Sequence, residues 1–146
     1  MAEAILRRLK FDNDTIEKVC RLILGHDDNP PVTERNIRRA IVRLGRKSYP
    51  AIFAVKRADI LAQSEYKRTE KLQYIDEYEA CYNGIIEKEQ CLSLKDLAVT
   101  GSDLIAAGMK PGPVLGKKLQ ELFELVLEDP SKNTKEYLLM ECINLR

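Results

Sequence analysis

Apolar positions along the chain recur at helical spacing, and no stretch alternates with period two over a useful length, so the pattern predicts helices throughout and no strands. Ala2, Ile5, Leu6 and Leu9 place the opening of the chain already inside a helix with no capping residue before it, the pattern of a start inside a larger protein. Asn13 or Asp14 can cap a second helix, where Asp14 with Glu17 approximates a capping box and Ile16, Val19, Cys20, Ile23 and Leu24 supply a buried face. Gly25 and the Pro30-Pro31 pair of "GHDDNPP" stop it. Thr33 caps a third helix with the stripe Ile37, Ala40, Ile41 and Leu44, ended by Gly45. Pro50 suits the first turn of a fourth, which carries Ile52, Val55, Asp59 and Ala62 on one face.

In the second half Leu72, Ile75, Tyr82 and Ile86 fall three to four residues apart or at multiples of that step, which predicts a long, largely exposed helix from about residue 67 to 90, or two helices broken near Asn83 and Gly84. Beyond the polar break "CLSLKD", short helical patterns cover residues 102–107, 113–127 and 134 onwards. The expected architecture is all-α, a multi-helix body over residues 1–90 followed by a helical tail over 91–146.

The densest cluster of special residues is "GMKPGPVLGKK", 108–118. Gly108 can end one helix in the left-handed conformation, Pro111 and Gly112 make a turn, and Pro113 can start the next helix, where its missing N–H costs nothing. The outcome is a helix-hairpin-helix-like corner. The N–H groups of Val114, Leu115 and Gly116 would then face outwards at the positive end of a helix, with Lys117 and Lys118 adding charge, a candidate phosphate contact. Gly116 serves equally well if its only task is close helix packing.

Composition sets the remaining bounds. At 146 residues the chain suits one ordinary domain or two small ones, and 45% apolar with 32% charged residues describes a soluble globular protein. No stretch approaches the roughly 20 apolar residues of a membrane span, and the N-terminus is amphipathic rather than a signal peptide, so a cytoplasmic protein with no membrane partner is expected. Cys20, Cys81, Cys91 and Cys142 form no C-x-x-C pair and read as reduced thiols. The net charge of +1 conceals an uneven distribution: residues 1–57 hold 13 Lys and Arg against 7 Asp and Glu, residues 58–146 hold 11 against 16. A basic half matters if the partner is a polyanion.

Arg35, Arg39, Arg43 and Arg46 stack along one face of the third helix with only Glu34 nearby, either a solvated face or a phosphate-binding one. Asp59, placed on an apolar face, needs a metal, a cation or a helix N-terminus as partner. His26 is the only histidine; with Asp27 it suggests a metal-dependent phosphohydrolase, yet one imidazole cannot anchor such a site alone. "DND" at 12–14 precedes a helix and reads as capping rather than as magnesium-binding carboxylates. Tyr66, Tyr74, Tyr78 and Tyr82, if exposed, offer a protein-interaction or homodimer surface.

Taken together, "LRRLKFDNDTIEKVCRLILGHD", "RADILAQ" and "LAVTGSDLIAAGMKPGPVLGKKLQELFELVLEDPSKNTKEYLL" resemble the C-terminal part of bacterial tRNA nucleotidyltransferases, the CCA-adding enzymes of the poly(A) polymerase-like class. In that family a strand-containing head transfers nucleotides from CTP and ATP with magnesium held by paired aspartates after a Gly-Ser turn, and helical neck, body and tail domains hold the tRNA. Here "TGSD" lies after the only Asp-x-Asp, in the wrong order for a head. The resemblance therefore implies a non-catalytic, tRNA-binding C-terminal part with no cofactor of its own, gripping tRNA through the arginine face and through Val114 to Lys118. Some members carry a histidine-aspartate phosphohydrolase module; Asp59 resembles its closing aspartate and His26 a later histidine, which leaves His26, Asp27 and Asp59 as an alternative, incomplete metal site.

Overall fold

The computed structural model describes residues 1–144, and every regular element among them is helical, as the pattern of apolar positions requires. The chain divides into two compact units, Met1–Gly84 and Ile85–Arg146.

The first unit contains α1 (Ala2–Arg8), α2 (Asn13–His26), α3 (Glu34–Leu44), α4 (Tyr49–Ala62) and most of α5 (Arg68–Glu87). Local chemistry sets the boundaries. Asp12, rather than Asn13 or Asp14, caps α2: its carboxylate accepts from the Thr15 N–H at 2.8 Å and from the Thr15 hydroxyl at 2.7 Å. The Thr33 hydroxyl accepts from Asn36 N–H at the head of α3, and Gly45, at φ 84°, ends that helix in a conformation few other residues adopt.

The core of this unit is aromatic. Tyr49 stacks on Tyr82 with ring centroids 4.9 Å apart, Phe53 meets Tyr78 edge to face at 5.3 Å, and Ile37, Ile41, Ile52 and Ile75 close around them. Such pairs contribute roughly 0.5–1.5 kcal/mol each beyond burial, provided the hydroxyls find partners. They do: Tyr49 and Tyr78 share a hydrogen bond of 3.0 Å, Tyr82 donates to the Arg46 carbonyl at 3.1 Å and Tyr74 to the Pro30 carbonyl at 2.7 Å.

Four expectations are corrected here. α5 is neither largely exposed nor broken, because Ile75, Tyr78, Tyr82 and Ile85 are buried and it runs without interruption past Asn83 and Gly84. The tyrosine surface therefore dissolves: of the four tyrosines named above only Tyr66 is exposed. Gly25 does not stop α2. It lies buried within the helix, where a Cβ would meet Ile52 Cδ1 at 2.7 Å, so its lack of a side chain lets α2 and α4 approach. α4 buries Tyr49, Ile52, Phe53, Lys56 and Ile60, which turns Val55, Asp59 and Ala62 to solvent. The bulk of Tyr49 and Phe53 chose that face, and Asp59 needs no buried partner.

The second unit packs α6 (Gly101–Ala106), α7 (Pro113–Glu128) and α8 (Lys135–Asn144) around Leu97, Val99, Leu104, Leu122, Phe123, Val126, Leu127 and Leu138, with Cys91 and Cys142 at the same core. Thr100 and Asp103 form a capping box at α6, and Lys135 donates to the other Asp103 oxygen at 2.6 Å, tying α8 to α6. Asn133 bridges the backbone of Asp96 and Ala98 at 2.9 and 2.8 Å. All four cysteines are free thiols; burial pushes Cys91 up to about 11 and raises Cys142 as well, which keeps both protonated and inert at neutral pH.

Candidate nucleic-acid interface

The amphipathic pattern of α3 folds as its sequence dictates: Ile37, Ala40, Ile41 and Leu44 go inside, so Arg35, Arg39 and Arg43 come to the surface. Arg46 is also exposed, but it stands in the 3-10 turn Arg46–Ser48 rather than on α3, displaced by the Gly45 break. The row is more neutralised than the sequence suggested. Arg43 is paired with Asp28 from the loop after α2, a pairing across 15 positions that helical spacing could not reveal. A fifth arginine, Arg38, is buried against Glu34 at 3.3 Å. Exposed Lys47 extends the basic strip beside Arg46.

Sequence reasoning missed a second buried cation of this unit. The Lys56 ammonium donates to the carbonyls of His26 at 2.8 Å and Asp28 at 2.7 Å and to Asn29 Oδ1 at 3.0 Å, stapling the loop between α2 and α3 to α4. Burial lowers its pKa, against the pull of Asp28 and Asp27. The signal was its phase: Lys56 follows Tyr49, Ile52 and Phe53 at core spacing.

Lys56 forms one wall of a cleft of about 440 Å³, where His26, Asp27 and Asp59 also lie. His26 Nδ1 sits 2.7 Å from the Ile23 carbonyl and so carries a proton there, while Nε2 is 3.3 Å from Asp27. Asp59 accepts from Gln63 Nε2 at 2.7 Å, and Gln63 in turn accepts from Lys71 at 2.9 Å. Among the described residues no three His, Cys, Asp or Glu side chains gather as metal ligands.

In the second unit Gly108 (φ 97°) closes α6 and Gly112 (φ 143°) precedes α7, both in backbone conformations that favour glycine. Pro113 then opens α7. Leu115 N–H closes onto the Gly112 carbonyl at 3.0 Å, which uses one of the first-turn donors. Val114, Gly116 and Lys117 are exposed and Leu115 is half-buried. Lys118 is buried, 8% exposed, with the Glu121 carboxylate 3.7 Å away. The two neighbouring lysines thus face different surroundings.

A comparison of the whole chain with known proteins gives a consistent picture. The family described as "tRNA nucleotidyltransferase domain 2 putative" matches residues 1–142. The CCA-adding enzyme of Lacticaseibacillus paracasei is 45% identical over 47 residues, 32% of this chain and 12% of that protein. The CCA-adding enzyme of Limosilactobacillus fermentum is 45% identical over 53 residues, 34% of this chain and 13% of that protein. The matched stretches therefore span a small part of both relatives. No solved structure matches the chain. No helix among the described residues is long and apolar enough to cross a membrane. With the match extending over residues 1–142, the chain belongs to the tRNA nucleotidyltransferase domain 2 family and is related to the CCA-adding enzymes.

Proposed function

We propose that the chain is a tRNA-binding part of a CCA-adding tRNA nucleotidyltransferase, working in the cytoplasm and holding tRNA by its backbone. The supporting observation is the exposed basic row Arg35, Arg39, Arg46 and Lys47 on a unit that belongs to a tRNA-processing family. Guanidinium groups on a rigid helix meet phosphate oxygens in bidentate fashion and read shape rather than sequence, which suits a protein that must accept many tRNAs. Arg43 is paired with Asp28. Lys117 and the head of α7 add a second contact within their own unit. Nucleotide transfer itself, with magnesium and CTP or ATP, falls in this reading to a separate head domain.

The test is filter binding of unmodified tRNA across a salt series. Affinity should fall steeply with salt, and Arg35→Glu with Arg39→Glu should weaken binding about tenfold or more and flatten the log–log salt slope by about 2. Binding that ignores salt, or no binding in low salt, defeats the reading.

A further inference from the structure

The pairing of Arg43 with Asp28 is out of place in a row that meets a polyanion, because it sets a carboxylate among the arginines. The fold does not depend on it. As an ion pair it adds little, since the Arg43 side chain is 61% exposed and pairs so open to water contribute almost nothing to stability. As a fastening for the loop after α2 it is redundant. The Asp28 N–H donates to the Gly25 carbonyl at 3.3 Å, its carbonyl accepts from Lys56 at 2.7 Å, and Tyr74 donates to the Pro30 carbonyl two residues on. Pro30 and Pro31 stiffen what remains of the loop.

The asymmetry of the pair gives its direction. Asp28 is anchored through its backbone on both sides and its side chain is 21% exposed, whereas Arg43 is a long, rotamer-rich side chain in the last turn of α3. The fixed partner orders the mobile one. The contact runs through Nη2, and a guanidinium carries five N–H donors, so the edge that faces solvent is free to meet a phosphate in its fork geometry. An arginine ordered in advance loses less conformational freedom on binding than a free one.

We propose that Asp28 is a positioning residue: it holds Arg43 so that the open edge of the guanidinium takes an RNA phosphate, and the gain from order outweighs the charge it cancels. The inference rests on the tRNA-binding reading and adds to it one contact and the residue that orients that contact.

The experiment is filter binding of unmodified tRNA by the full chain across the same salt series, with Asp28→Asn, Arg43→Gln and the double variant. Asp28→Asn raises the net charge by one. Removing a carboxylate that only neutralises Arg43 would tighten binding and steepen the salt slope by about 1, whereas removing one that positions Arg43 should weaken binding about two- to tenfold despite the added charge. Without Arg43 the sign reverses: in the Arg43→Gln background Asp28→Asn should tighten binding, since only repulsion is left to remove. A purely structural role does not produce that reversal, and the urea midpoint of Asp28→Asn should stay within about 0.5 M of the parent. Arg43→Lys, which leaves the loop untouched and keeps the charge but lacks the fork, should bind several-fold more weakly at an unchanged salt slope. Tighter or level binding by Asp28→Asn, weaker binding by it in both backgrounds, a larger fall in its midpoint, or parental affinity in Arg43→Lys overturns the proposal. The failures separate: tRNA binding that needs Arg35 and Arg39 but not Asp28 sinks only this inference, and no tRNA binding by the parent at low salt sinks the RNA-gripping role together with it.

Discussion

Replacing Lys56 with methionine removes the three hydrogen bonds that hold the loop after α2 and keeps the apolar stem in place. Bonds from a charged donor contribute about 1.5–3 kcal/mol each, so the three set an upper bound near ~9 kcal/mol. Against this stands the cost of taking the ammonium out of water, several kcal/mol, and the burial-lowered pKa is its direct sign. In Lys56→Met that cost disappears and three acceptors are orphaned at about 1 kcal/mol each, the low end of the range because the adjoining cleft admits water. The net loss is about 2–3 kcal/mol. With no tryptophan in the chain, urea unfolding is followed by tyrosine fluorescence, and at a slope near 2 kcal/mol/M the midpoint should fall by about 1 M or more. Asn29→Ala, which removes one acceptor of the three, should cost about a third as much. A Lys56→Met midpoint equal to or above that of the parent protein would refute the reasoning, because the lysine would then be tolerated in the core rather than holding the loop.

Alkaline pH should attack the first unit through its core. Burial raises Tyr49 to about 12 and also raises Tyr74, Tyr78 and Tyr82, so their neutral forms stabilise the fold below pH 10 and that contribution is lost as pH climbs towards 12; circular dichroism should show helix loss across that window, and a flat signal counts against the tyrosine core. The second unit has the opposite sensitivity: Lys135 and the Thr100 cap hold the Asp103 carboxyl far below its ordinary 3.8, so stability present above that pH is lost as pH falls further, and Asp103→Asn should flatten the acid limb of a pH-dependent melting series. Two of the helical glycines, Gly84 and Gly25, should respond with opposite signs. Gly84→Ala, with nothing within 4 Å of a new Cβ, should stabilise α5 by about 0.5–1 kcal/mol, whereas Gly25→Ala meets Ile52 and should destabilise by about 1 kcal/mol until Ile52→Val makes room, a coupling that a double-mutant cycle measures.

α3 was legible in the sequence because its two faces differ so sharply: four apolar residues at helical spacing against a row of arginines leave one way to pack it. The α6–α7 corner was legible for a different reason, since Gly108, Gly112 and Pro113 have backbone requirements that hold whatever surrounds them. α4 and α5 were not. Apolar residues almost encircle α4, so periodicity alone did not choose between the face of Val55 and Asp59 and the face of Tyr49 and Phe53. On α5 each tyrosine counts as half polar in a sequence pattern, and only the partners of Tyr74, Tyr78 and Tyr82, which lie 29 to 44 positions away, make their burial favourable. The Arg43 pairing with Asp28 has the same character, a contact between elements that no local spacing encodes.

The buried charges carry the sharpest distinction. Sequence spacing marks Asp59 as the costly charge, but the structure buries Lys56 and Lys118, whose long apolar stems can cross a core and bring the charge to an acceptor. Both lysines were in phase with core residues, Lys56 with Tyr49 and Phe53, Lys118 with Leu122 and Val126. What separates them is satisfaction. Lys56 ends on carbonyls at the C-terminal end of α2, where the helix dipole favours a cation, and all three of its donors are used. Lys118 has a single carboxylate at 3.7 Å and an open cleft before it. A cation with three hydrogen bonds holds its loop and one with a single distant counter-charge holds little, so the two methionine substitutions should differ in stability. Lys56→Met should lower the urea midpoint, while Lys118→Met, which keeps the apolar stem and loses only one ion pair to an exposed carboxylate, should leave it nearly level. If both variants lower the midpoint equally, satisfaction does not separate the two lysines.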